Sequence, residues 1–198
     1  MRINRSNRRA VTLVELVVVM AILVALAGLV IPQFVSTTED ARGTAGRSSL
    51  VEVRDAVLQF WNDCKYDPIL SANPRIQIVD LIDPRSSNLE VFNPNVPDST
   101  LGWNGPYLEQ SGRYTVTGST AVDYTAAYGT DDDPAVLDPW LRPFVIQEAA
   151  PVGNSRQLRI VSAGPDGVFD ILESTSSQEL MSGAVASGDD LYVAFTLR

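Results

Sequence analysis

Residues 8–32 read RRAVTLVELVVVMAILVALAGLVIP, and every other part of the chain is placed by how this stretch is read. From Val11 to Ile31 it is apolar or small, apart from Thr12 and a single charge, Glu15. As a helix, those residues at about 1.5 Å each would run roughly 31 Å, the thickness of a bilayer's hydrocarbon core. An ionised carboxylate near the start of such a segment costs about 2.5 kcal/mol or more in lipid. No Lys or Arg lies between Val11 and Ile31 to pair with it. A partner for Glu15 therefore has to come from another molecule.

The order of these features resembles the class III leader and N-terminal helix of type IV pilins and of the pseudopilins of type II secretion. The resemblance implies a basic leader, residues 1–10, cut by a prepilin peptidase between Ala10 and Val11, with methylation of the new amine on Val11. Glu15 then falls on the family's fifth mature position and Pro32 on its helix-kinking proline. Ala10 and Val11 stand where the family usually has Gly and then Phe or Met. A secretory signal peptide competes for the same N-terminus, but its apolar core would be shorter and end in a small-x-small site.

Composition agrees with an anchored, exported domain. The chain has 198 residues, 45% hydrophobic, with a formal charge of −9. Arg2, Arg5, Arg8 and Arg9 all precede the apolar run, which keeps the leader cytoplasmic and sends the C-terminus across the membrane. Without them, 11 basic face 24 acidic residues, a net charge of −13. Such a balance argues against nucleic acid as a partner. Cys64 is the one cysteine and histidine is absent, which leaves no internal disulfide and no His–Cys metal or catalytic pairing. With no Ser-x-x-Lys motif or nucleophile elbow either, a catalytic role is not expected.

In domain terms the reading is leader 1–10, transmembrane half-helix 11–31, amphipathic half-helix 32–63 and periplasmic head 64–198. Ala41, Ala45, Leu50, Val53, Val57, Leu58 and Trp61 follow helical spacing, and Gly43 and Gly46 mark a weak stretch within it. Residues 53–68, VRDAVLQFWNDCKYDP, resemble the family's helix exit at Ala56, Phe60, Asp63, Tyr66 and Pro68. LGWNGPYLEQ, 101–110, reads as a tight turn pinned by Trp103 and Tyr107, with a sugar-binding platform as the rival reading. LDPWLRPFVIQ, 137–147, resembles the Asp-Pro-Trp motif of the major pseudopilin, with Leu141 where that family has glycine. Residues 111–136 read as an inserted hairpin. Asp131, Asp132 and Asp133 read as a solvated turn, with a weak cation patch as the alternative. Runs at 144–146, 158–161 and 191–197 read as three strands. The fold class expected is α+β and pilin-like: a long N-terminal helix on a small antiparallel sheet, followed by a C-terminal loop region.

Between the last two strands lie SAGPDGVFD, 162–170, and SGDD, 187–190. Oxygen-rich, glycine-rich loops suit calcium, which takes six to eight oxygen ligands. The resemblance implies a structural calcium on the carbonyl of Ala163 with Asp166, Asp189 and Asp190, and Asp170 is a further candidate. An EF-hand is excluded, because the twelfth position would be Ser177. Residues 168–186 are a longer insertion than the family shows. The resemblance also implies partners: other copies in a helical filament, minor pseudopilins, an inner-membrane assembly platform and the prepilin peptidase. The function it implies is a structural subunit of a periplasmic type II secretion pseudopilus that drives protein export across the outer membrane. The alternatives are a type IV pilin of a surface fibre and, after it, a membrane-anchored binding protein.

Overall fold

Thr12 starts the first helix, because its hydroxyl accepts the Glu15 N–H at 3.2 Å and its carbonyl accepts that of Leu16. The structure is a computed structural model that describes residues 12–64, 75–84, 102–152 and 155–197, without side chains at 29–36 or 150–155. Helix α1 covers Leu13–Cys64 and continues through Pro32. By its internal contacts the chain forms two units, residues 1–41 and 42–198.

In the first unit, the side chains from Leu13 to Gly28 are exposed on every face of the helix. Among the described residues no helix is long and apolar enough to cross a membrane. The span expected at 11–31 extends past them at both ends, since Val11 and the side chains of 29–31 are not described.

The second unit buries one stripe of α1 made of Gly46, Leu50, Val53, Ala56, Val57, Phe60 and Cys64. Spacings of three and four bring these residues onto one face. Ala41 and Ala45, expected on the packed face, are exposed. The weak stretch expected at Gly43 and Gly46 is corrected too: the helix is unbroken there. A Cβ at Gly46 would come 2.7 Å from Leu191 and 3.6 Å from Pro139 and Trp140. Glycine stands at this position because other chain segments press onto the helix.

Strands β1 (Gly112–Arg113) and β2 (Pro134–Ala135) pair antiparallel and close the expected insertion at 111–136. Strands β3 (Val145–Val152), β4 (Ser155–Ser162) and β5 (Leu191–Leu197) form an antiparallel sheet in the order β3-β4-β5. The α+β expectation holds in the described residues. Phe144, Ile146, Leu158, Ile160 and Leu197 join the α1 stripe in one hydrophobic core. A second core gathers Tyr114, Tyr124, Tyr128, Val145, Val161, Phe169, Ile171 and Leu180. The apolar run at 76–82 contains a 3-10 helix at Ile78–Leu81. The Tyr66–Pro68 part of the helix-exit motif lies outside the described residues.

Trp103 and Tyr107 serve packing. Their rings meet edge to face at 5.7 Å, and Tyr107 meets Phe60 likewise at 5.8 Å. The Trp103 indole N–H donates to the Asp80 carbonyl at 2.7 Å, and the Tyr107 hydroxyl donates to Asp63 Oδ2 at 2.9 Å. Trp103 keeps 8% exposure, too little to offer a sugar a platform. Its carbonyl partner belongs to Asp80, whose own carboxyl is buried and pushed up to about 7 by desolvation. The Asp131–Asp133 run is a turn, in which Asp133 accepts the Thr130 N–H and Asp131 accepts that of Val116.

Candidate functional site

Glu15 occupies the first turn of α1, where the unpaired N–H groups of the helix end favour a carboxylate. Thr12, which caps that turn, is a contributor that sequence reading passed over; the Thr-x-x-Glu spacing of a capping box is its signal. Ala10 and Val11, the expected cleavage and methylation residues, lie outside the described residues. Pro32 lies inside α1, and its side chain is not described.

The C-terminal loops are built by the turn that precedes β3. Asp138 is buried, and its Oδ1 accepts the N–H groups of Trp140 and Arg142, both at 2.9 Å. Its Oδ2 accepts from the Ser162 hydroxyl at 2.5 Å, tying the turn to the end of β4. The Asp-Pro-Trp motif thus has its reason in hydrogen bonding. Leu141 completes the turn at φ 64°, the left-handed position that glycine adopts without penalty.

Beyond β4 the chain makes the expected loop. The Ala163 carbonyl accepts the Gly167 N–H at 3.0 Å, and Asp166 Oδ1 accepts the Val168 N–H at 2.8 Å. Asp189 Oδ2 accepts the Asp166 N–H, and Asp170 Oδ2 accepts the Asp189 N–H, each at 3.3 Å. Asp190 Oδ2 accepts the Ile171 N–H at 2.7 Å. The structure therefore brings 163–170 and 187–190 together despite the insertion between them. At Gly188, φ is 56° and a Cβ would strike the Asp170 carboxylate. The close approach of the two loops depends on that glycine.

Asp190 is buried, and its Oδ1 has no hydrogen-bond partner among the described residues. Burial, reinforced by the carboxylates of Asp170 and Asp189, pushes its carboxyl up to about 7. An orphaned buried oxygen beside carboxylates and turn carbonyls fits a hard cation in donor chemistry. Among the described residues, no three His, Cys, Asp or Glu side chains are arranged as a group that could hold a metal. The loop supplies the right donors without a closed coordination shell.

The insertion is packed. Arg159 is fully buried on β4, donating to Gln147 Oε1 at 2.7 Å and to the carbonyls of Thr175 and Leu172 at 2.6 and 2.5 Å. Phe169, Ile171 and Leu180 are buried beside it, and a capping box of Ser176 and Glu179 starts helix α2 (Ser177–Ser182). Sequence reading missed Arg159, whose place in an alternating strand carries no mark of its role.

Residues 5–31 match the model of the prokaryotic N-terminal methylation motif. The chain carries a type IV pilin-like prepilin leader. That motif implies processing by a prepilin peptidase and assembly into filaments in general. The match ends at Ile31, so the leader alone does not separate a pilin from a pseudopilin. No curated protein and no solved structure matches the chain.

Proposed function

We propose that the protein is a structural subunit of a periplasmic type II secretion pseudopilus, which drives protein export across the outer membrane. The observation that carries the filament part of this reading is a lone carboxylate, Glu15, among exposed residues from Leu13 to Gly28 that are otherwise apolar or small, directly after a prepilin leader. The resemblance of the Asp138–Pro139–Trp140 turn to that of the major pseudopilin favours the secretion filament over a surface fibre. Eleven exposed large apolar residues between Leu13 and Leu26 need a covering that water does not provide, and lipid before assembly and neighbouring helices after it would supply one. In this reading the leader is removed after Ala10, the amine of Val11 is methylated, and residues 11–31 anchor the subunit in the inner membrane. Glu15 of one subunit then pairs with the Val11 amine of a neighbour, so that its charge is neutralised only on assembly. Such a pair sets registry. The subunit catalyses nothing, and its partners are other copies, minor pseudopilins and the assembly platform.

The head contributes a structural calcium site in the same reading. The Ala163 carbonyl, Asp166, Asp189 and Asp190, with Asp170 beside them, would hold the ion and relieve the charge that Asp190 otherwise buries. Calcium supplies charge neutralisation and cross-linking of two loops there, and no water is activated.

Replacing Glu15 tests the assembly claim. Glu15→Leu should leave the protein cleaved and membrane-inserted yet abolish recovery of sheared or cross-linked filaments. Filaments formed by Glu15→Leu at the parental level would contradict it.

A further inference from the structure

Asp80 stands at a joint of the head. Its carbonyl accepts the Trp103 indole N–H at 2.7 Å, and the Leu81 carbonyl accepts the N–H groups of Tyr107 and Leu108 at 2.8 and 3.4 Å. The 3-10 helix at Ile78–Leu81 therefore holds the Trp103–Leu108 turn. It also packs against β2, and Gln77 just before it donates through Nε2 to the Ala127 carbonyl at 3.3 Å. The Asp80 carboxyl closes the helix. Its Oδ2 accepts the Gln77 N–H at 2.7 Å, while its Oδ1 is buried with no partner among the described residues. The whole residue is 3% exposed.

The elements around the joint bring little to neutralise that carboxyl. Before the helix, Arg75 sends Nη2 to Glu173 at 2.7 Å and lies over the Tyr128 ring. After it comes Asp83, and at the end of α1 stand Asp63, which accepts from the Tyr107 hydroxyl, and the buried Cys64 thiol. Burial raises the phenols of Tyr107, Tyr114 and Tyr128, so they stay neutral where a carboxyl titrates. Asp133, beside β2 and bonded to the Thr130 N–H at 2.6 Å, acts on Asp80 as a like charge. Ionising Asp80 leaves a buried charge with one oxygen unmet. We propose that Asp80 is a proton-set latch: with its carboxyl neutral the 3-10 helix stays docked on the Trp103–Leu108 turn and on β2, and with it ionised that joint opens locally. Desolvation, offset in part by the Gln77 N–H and reinforced by Asp133, pushes the carboxyl from 3.8 up to about 7. The closed joint thus holds a proton that the open one has lost. Its extra stability is complete below the ordinary carboxyl value and is lost as pH rises to about 7. None of this rests on the filament reading.

Hydrogen exchange of the detergent-solubilised full chain, read by peptide mass spectrometry with the intrinsic rate divided out, tests the latch. From about pH 5 to about pH 9, opening of 76–83 and 102–108 should rise about a hundredfold, nearly all of it below about pH 8. Asp80→Asn keeps an acceptor for the Gln77 N–H and cannot ionise, so its opening should not change with pH. Asp133→Asn removes the like charge and should bring the plateau to lower pH. Opening of the parent that ignores pH, or the same rise in Asp80→Asn, would overturn the latch. So would a rise spread evenly over β3, β4 and β5, where Asp190 would act. If Asp80→Asn does not fold, the Asp133→Asn protein decides, and a plateau that stays in place overturns the proposal.

Discussion

Leu141 holds a backbone conformation at φ 64° that costs an L-residue about 1–2 kcal/mol, with a side chain 78% exposed. Such exposure returns little packing to offset the strain. The turn accepts it because Asp138 fixes both flanks, binding the N–H groups of Trp140 and Arg142 while its own N–H donates to the Arg142 carbonyl at 2.7 Å. Leu141→Gly removes the strain and adds back some chain entropy to the unfolded state. We expect a net gain of about 0.5–1 kcal/mol. Thermal melting checks it, and a lower midpoint would show that the Leu141 side chain has an anchoring contact the turn needs.

At the level of elements, much of the architecture was legible because the signals were periodic. The α1 stripe from Leu50 to Phe60 follows helical spacing, and the three strand runs at 144–146, 158–161 and 191–197 fall inside β3, β4 and β5. Gly46 was misread because a glycine in a helix signals weakness by propensity alone. Here its missing side chain admits Leu191, and only tertiary contact reveals that. The insertion from 168 to 186 was illegible for a related reason. Its docking relies on Arg159, a buried cation satisfied by two carbonyls and one amide oxygen, a pattern without sequence periodicity. Arg159→Met should leave the Leu172 and Thr175 carbonyls buried without that partner and cost about 2–4 kcal/mol. Hydrogen exchange should rise across 170–182 while β4 and β5 stay protected. Uniform loss of protection through the sheet would contradict a local role for Arg159.

For the whole molecule, the candidate site was half legible. Sequence spacing pointed to the two loops that the fold brings together, and could not show that Asp190 turns one oxygen inward to Ile171 and leaves the other unpartnered. If that loop binds calcium, the ion stabilises the folded protein by mass action. At a hundred-fold excess over its Kd, one site adds about 2.7 kcal/mol, or roughly 5–10 °C in Tm for a chain of this size. Melting of the full chain in detergent, with calcium and then with chelator, reads this directly. The shift should vanish in Asp189→Ala, and identical curves for the parent protein in calcium and chelator would remove calcium from the account. Filament formation does not depend on that result, since it rests on the leader and on Glu15.

The most direct measurement is the mass and sequence of the protein's N-terminus after expression beside a prepilin peptidase. The account predicts a chain that begins at Val11 with a methylated amine, and an unprocessed chain when the peptidase is inactive. A chain that keeps residues 1–10 beside the active peptidase, or one cut beyond the apolar helix by a general signal peptidase, would contradict it.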